Sequence, residues 1–256
     1  MGIVFLNCFL RSPSWLFHDK QSKRIPLIPQ HTIIDNNTLI GLCEVFGDKF
    51  GLKLSNEYKS YNYKFAQPSD TSSGLALAYP ATYKLIFNKF TPYSDAKLPD
   101  SLVNKGFMHC ILQCKDCNKK TTIIVTHLQS SYSESKQSIK KFNRYREIQK
   151  KQLTELKQYI DHNNINEYIL MGDFNIHKTT KDELFNYMIN LFEYNHKLHI
   201  LPTIPTFPQT REIIDYIFVK NSRVQHVNKT NTKSKPSAKL LSDVSFISDH
   251  NAIILK

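Results

Sequence analysis

Short apolar runs recur along the chain at 3–9, 39–46, 74–79, 106–113, 121–128, 167–171, 213–219 and 252–255. Their β-branched and aromatic content, with Pro, Gly or Asn nearby, predicts strands. Some are almost continuously hydrophobic rather than alternating, which suits strands covered on both faces. Two stretches carry a helical period instead. Between Ser135 and His162, apolar or long side chains recur at Ile139, Phe142, Tyr145, Gln149, Gln152, Leu153, Leu156 and Ile160. That stripe predicts one buried helix face, opposite a solvated face carrying Lys140, Lys141, Arg144, Lys150, Lys151 and Lys157. A second helix is predicted over Lys181 to Tyr194, opened by a Thr180/Glu183 capping box, with Leu184, Met188 and Leu191 buried. Strands on either side of long helices predict a layered α/β domain with two sheets packed together. The polar, Lys/Ser/Asn-rich segment 221–246 predicts a mobile loop before the last strand. There is no internal repeat and no long low-complexity linker, so residues 1–256 are expected to form a single domain.

Composition narrows the class. Hydrophobic residues make up 41% and charged residues 22%, which fits a soluble globular protein. The formal charge of +12 (34 Lys+Arg against 22 Asp+Glu) favours polyanionic partners, either nucleic acid or an anionic membrane, and does not choose between them. The five cysteines lack the spacing of a secreted disulfide framework. His109, Cys110, Cys114 and Cys117 lie close together, but a second cysteine pair is missing, and Cys114 to Lys120 falls between two strand-like runs as a hairpin tip. Reduced thiols in an intracellular protein are the simpler expectation. The opening Ile3-Val4-Phe5-Leu6 is too short for export or membrane spanning, and Leu6 breaks the myristoylation pattern. A cytoplasmic protein, at most peripheral to membranes, is therefore expected.

The candidate chemistry lies at the ends of the predicted strands. Asp173 and Asn175, two residues apart after Ile169-Leu170-Met171-Gly172, can both face one cavity, holding a metal-bound phosphate and orienting a water. Gly-Asp-Phe-Asn alone would also suit a turn. Asp249 and His250, just before the last strand, combine a metal ligand with a general base. Asp215 stands in the apolar run Ile214-Asp215-Tyr216-Ile217-Phe218, where a buried acid needs a partner. His250 is the natural one, since the carboxylate would orient its imidazole and make it more basic. His127 ends another strand and could donate to a phosphoryl oxygen, while Glu44 offers the hard oxygen that Mg²⁺ prefers. Each of these residues, taken singly, suits a structural role as well as a catalytic one.

Taken together, Asn7, Glu44, His127, Asp173 with Asn175, Asp215 and Ser248-Asp249-His250 resemble, in order and spacing, the endonuclease/exonuclease/phosphatase superfamily. The resemblance spans nearly the whole chain. It narrows to the neutral sphingomyelinase branch on Asn7 to Arg11, Asp19-Lys20-Gln21, Arg24, Glu44-Val45-Phe46, Asn104-Lys105-Gly106-Phe107, Thr126 to Tyr132, and Arg146 with Gln152-Leu153. Cys43 departs from the pattern, standing where Asn or Gln often precedes the metal-binding Glu. The resemblance implies a four-layer α/β sandwich of the deoxyribonuclease-like kind, two packed mixed sheets flanked by helices, with one active site at the sheet edges. It implies Mg²⁺, with Mn²⁺ or Co²⁺ able to replace it, held by Glu44, Asp249 and Asn7. Asn7 and Asn175 would position the phosphate, His250 oriented by Asp215 would take the proton from water, Asp173 and Asp249 would align it, and His127 would stabilise phosphoryl oxygens. The implied reaction is hydrolysis of sphingomyelin or a related choline phospholipid at a membrane surface to ceramide and phosphocholine. A nuclease or other phosphatase on the same fold, with nucleic acid as partner, and a non-catalytic binding module are the alternatives. Nothing calls for an obligate protein partner. Phe87, Phe90 and Tyr93, in a stretch that reads as a loop, are the candidates for membrane contact.

Overall fold

A computed structural model describes residues 1–11, 20–131, 139–179, 182–193, 199–200, 205–220 and 247–255. Asp19, Tyr132, Thr180, the predicted helix ends at Ser135, Lys181 and Tyr194, and the segment 221–246 lie outside the described residues.

Two mixed sheets form the centre. The first joins β1 (Ile3–Leu10), β2 (Leu39–Val45), β3 (Tyr63–Ala66), β4 (Ala76–Pro80) and β11 (Ile253–Leu255) in the order β11-β1-β2-β4-β3. The second joins β5 (Tyr83–Pro92), β6 (Gly106–Cys114), β7 (Lys120–His127), β8 (Tyr168–Asp173), β9 (His199–Ile200) and β10 (Asp215–Lys220) in the order β5-β6-β7-β8-β10-β9. Their inner faces share one core, with Phe5, Leu39, Leu77, Met108, Val125, Met171 and Ile217 interleaved. The sheets approach so closely that a Cβ on Gly41 would lie 2.2 Å from Met171 Sδ and push that side chain aside.

The outer face of the first sheet packs on α1 (Gln21–Arg24), α2 (Leu27–Thr32) and α3 (Asp48–Ser60), through Val4, Leu6, Ile40 and Leu42 against Ile28, Phe50, Leu54 and Tyr58. The outer face of the second packs on α4 (Ile139–His162) and α5 (Glu183–Glu193), through Ile124, Leu170 and Phe218 against Leu153, Leu156, Met188 and Phe192. The result is the expected four-layer sandwich. Burial on both faces explains the unbroken apolar runs of β1, β2 and β8.

Each sheet holds one parallel pair, β1–β2 and β7–β8, bridged by helices. Parallel strands end on the same side, so the last residues of β1, β2, β7 and β8 arrive at one edge. Strands antiparallel to them begin there: Asp215 of β10 is level with Asp173, and Gly106 of β6 is level with His127. Among the described residues no helix is long and apolar enough to cross a membrane.

Three expectations need correction. The stretch containing Phe87 and Phe90 is a strand, β5, and Tyr93 is buried beneath α4 rather than displayed. Ile139, expected in the buried stripe of α4, is 79% exposed, and Ile148 is buried instead. The buried face of α4 begins only at Tyr145. The visible cap of α5 is Asp182, whose Oδ1 accepts the N–H groups of Leu184 (2.8 Å) and Phe185 (3.1 Å).

Candidate active site

The strand ends converge. Asn7 Nδ2 donates to Glu44 Oε1 at 3.0 Å and to Asp173 Oδ2 at 3.1 Å, and lies 3.5 Å from His250 Nε2. One side chain of β1 thus touches groups from β2, β8 and the approach to β11. The Asn7 oxygen accepts the Phe9 N–H at 3.0 Å, so in this arrangement Asn7 presents its amide hydrogens, not its oxygen, to the cluster. Backbone turns aim these groups: Phe9, Glu44 and Asn175 all have positive φ (51°, 54° and 53°), which only Asn tolerates readily. Arg24 secures the first of these turns. Its guanidinium donates to the carbonyls of Cys8 (2.9 Å), Phe9 (2.5 Å) and Ile247 (2.6 Å), tying the end of β1 to the segment that carries His250.

On one side of the cluster, His250 Nδ1 lies 2.8 Å from Asp215 Oδ2, and His250 Nε2 lies 3.8 Å from Asp173 Oδ2. Ser248 Oγ donates to the Asn7 carbonyl (2.5 Å) and accepts the His250 N–H (3.1 Å). The Phe207 ring packs on the imidazole at 4.9 Å. Burial alone would lower the His250 pKa, but Asp215, Asp173 and Asp249 outweigh it and lift the group to about 10. The imidazole is therefore a charged ring held in one orientation by a carboxylate.

On the other side, His127 Nε2 sits 2.6 Å from Lys105 Nζ, 3.7 Å from Asp173 Oδ2 and 3.9 Å from Glu44 Oε1. Burial, then the charges of Lys105 and His250, push the His127 pKa well down, so this ring is neutral. Lys105 also donates to the Leu128 carbonyl (3.0 Å), which Asn175 Nδ2 reaches at 3.1 Å, and lies 3.5 Å from Asp100 Oδ1. The Asn175 backbone N–H donates to Asp173 Oδ1 (2.9 Å), and Gln149 Nε2 donates to the Asn175 carbonyl (2.9 Å). A lysine only 4% exposed in contact with a site histidine was assigned no role from sequence. The sequence marks it only within Asn104-Lys105-Gly106-Phe107, a stretch that carries the resemblance without giving the lysine a role.

The donor set suits a hard divalent cation. Glu44, Asp173, Asp215 and Asp249 gather at one edge, and Asp215 Oδ1 is buried without a partner. Burial first, and then Glu44, raise the Asp249 carboxyl to about 6; burial and Asp215 raise Asp173. Such crowded carboxylates are relieved by a cation, and Glu44 with Asp249 supplies the oxygen ligands Mg²⁺ takes. Cys43, His127 and Asp173 also bring donor atoms within 4.8 Å of one another. Burial pushes the Cys43 thiol far up, however, and Lys105 occupies His127 Nε2, so a thiolate metal site does not fit. The cysteines at the β6–β7 hairpin tip, Cys114 and Cys117, are free thiols.

No family model matches the sequence, and no curated protein matches it. Solved structures do. Beta toxin from Staphylococcus aureus superposes with a TM-score of 0.74 at 22% identity, covering 99% of this chain and 98% of that one. A mutant of that toxin has been solved with bound magnesium ions. Sphingomyelinase C from Streptomyces griseocarneus gives 0.72 at 16% identity over 99% and 98% of the two chains. An endonuclease/exonuclease/phosphatase family protein from Bacteroides thetaiotaomicron gives 0.63 at 13% identity over 99% and 96%. The chain has the fold these bacterial proteins share.

Proposed function

We propose that this protein is a divalent-metal-dependent phosphodiesterase that hydrolyses sphingomyelin to ceramide and phosphocholine. The observation that carries the proposal is the His250–Asp215 pair, 2.8 Å apart and 3.8 Å from Asp173, beside the carboxylates of Glu44 and Asp249. The likeness to a sphingomyelinase C over nearly its whole length supports the choice of substrate. Mg²⁺, with Mn²⁺ or Co²⁺ as replacements, fits the oxygen donors Glu44 and Asp249. When bound, it would offset the charge that develops on the phosphoryl oxygens.

The chain's own groups do the rest. Asp215 fixes the ring of His250 so that Nε2 faces the cluster, and Nε2 takes the proton from the attacking water in the deprotonated form of the ring, which a nearby cation favours. Asp173, within 4 Å of both histidines, aligns that water. Asn7 and Asn175 present amide groups to the phosphate. His127, kept neutral, holds Lys105 in place so that a fixed positive charge faces the phosphoryl oxygens. Such preset groups cost little reorganisation at the transition state.

The net charge of +12 favours a second reading, a nuclease using the same groups on a nucleic-acid phosphodiester. The two separate in one experiment: phosphocholine release from sphingomyelin vesicles with Mg²⁺ and with EDTA, alongside plasmid nicking. Lipid cleavage that needs Mg²⁺, without nicking, is expected. Nicking without lipid cleavage would move the substrate to nucleic acid.

A further inference from the structure

In the segment between β5 and β6 the Asp100 carboxylate and several backbone groups turn inward, while two leucines turn outward. The inward groups form a closed frame. The Lys97 N–H donates to Gln129 Oε1 (2.7 Å), and Asp100 Oδ2 accepts from Gln129 Nε2 (2.7 Å) and the Ser130 N–H (2.6 Å). Gln152 Nε2 donates to the Asp95 carbonyl (2.8 Å), and Tyr145 Oη donates to the Leu98 carbonyl (3.0 Å). Lys105 closes the loop from inside the site, 3.5 Å from Asp100. Against that frame Leu98 is 62% and Leu102 76% exposed. Ile139, at the first turn of α4, is likewise exposed. Surface loops ordinarily do the reverse, with polar side chains toward water.

Position makes this meaningful. Gly106, where the loop enters β6, is level with His127, so the loop leaves the sheet at the edge where Asp173 and His250 lie. The exposed Lys140, Lys141 and Arg144 surround Ile139 on α4. We propose that Leu98 and Leu102, with the exposed Ile139 of α4, the helix whose Tyr145 holds the Leu98 carbonyl, form a bilayer-docking tip that seats the active-site edge on a phospholipid surface. The proposal rests on the phosphodiesterase reading for the identity of the surface. Three separated side chains are too little apolar area for a stable protein–protein contact. Shallow insertion of a few apolar groups flanked by cations is what a phosphate-bearing bilayer interface accepts. A loop already pinned by hydrogen bonds loses little further freedom when it inserts.

The test compares wild type with the double variant Leu98→Ser/Leu102→Ser in two assays. In the first, vesicles of sphingomyelin and phosphatidylcholine are pelleted with the protein in EDTA, so that no turnover occurs. The variant is expected to partition about tenfold or more weakly, from the loss of two leucine side chains at the interface. In the second, turnover of a short-chain sphingomyelin dissolved as monomers with Mg²⁺ is expected to be unchanged. Equal pelleting of variant and wild type would overturn the docking tip. If wild type fails on the monomeric substrate, the phosphodiesterase reading falls, and pelleting still decides the docking. A third protein, Leu102→Trp, covers the case of a misfolded double variant. Its fluorescence should shift to the blue on vesicle addition, and an unshifted spectrum would count against insertion.

Discussion

His250 and His127 occupy two sides of one site and teach different things about it. Both are buried, and both lie within 4 Å of Asp173. On the β10–β11 side, His250 faces Asp215 and is held charged, near a pKa of 10. On the β6–β7 side, His127 faces Lys105 and is held neutral. Burial acts against charge on both rings, so the partner supplied by the neighbouring strand decides the outcome. The antiparallel strand β10 delivers a carboxylate, and the antiparallel strand β6 is preceded by an ammonium. One sheet edge thereby keeps a charged ring and a neutral ring side by side.

The strongest way to break the contrast is His250→Ala. It should lower phosphocholine release about 10³-fold or more while leaving circular dichroism unchanged. Retained turnover would remove His250 from the chemistry. Asp215→Asn keeps the shape but removes the charge, and should cost roughly 10²-fold in kcat. It also carries a pH signature. A histidine raised above its ordinary 6.5 stabilises the fold fully below that value and loses the contribution as pH rises toward 10. In the metal-free protein, the wild type's advantage over Asp215→Asn in urea denaturation should therefore be greatest just below pH 6.5 and fade by about pH 10. A difference that grows with pH would contradict the ion pair.

Lys105→Met attacks the other side. It should lower turnover roughly tenfold or somewhat more, and let the His127 pKa rise because a neighbouring positive charge is gone. An unmoved His127 titration would mean that burial alone keeps it neutral. The smallest effect expected is that of Asp182→Ala, remote from both rings: loss of the α5 cap should cost about 1 kcal/mol in thermal denaturation with kcat unchanged.

The same contrast marks what the sequence can and cannot express. The strands buried on both faces were legible because their apolar runs are unbroken. β5 was not, since most of its residues are exposed at the sheet's border and it carries Lys84, Asn88 and Lys89. β3 is only four residues long, and α3 carries Gly51 in its first turn, which weakens a helical signal. Glu44, His127, Asp173, Asn175, Asp215, Asp249 and His250 stood out because polar residues within or beside apolar runs are conspicuous, whereas Asn7 was marked only by the resemblance. The roles of Lys105, marked only as part of a resembling stretch, and of Asp100 were not legible, because they lie in contacts to Gln129, His127 and Leu128 that form only when β6 and β7 pair. Ile139 misled for a related reason: a helical period reports which face is apolar, not where along the helix that face becomes covered, here from Tyr145 onward.

The central claim is that this edge carries one charged and one neutral histidine, and nuclear magnetic resonance titration of the two imidazoles tests it most directly. Single substitutions at His127 and His250 would assign the signals. In the metal-free protein His250 should remain protonated well above pH 7 and titrate near 10, while His127 stays neutral down to well below 6.5. Mg²⁺ binding should move the His250 titration downward, because a nearby cation disfavours the charged ring. Two rings titrating together near 6.5, and indifferent to Mg²⁺, would contradict the account.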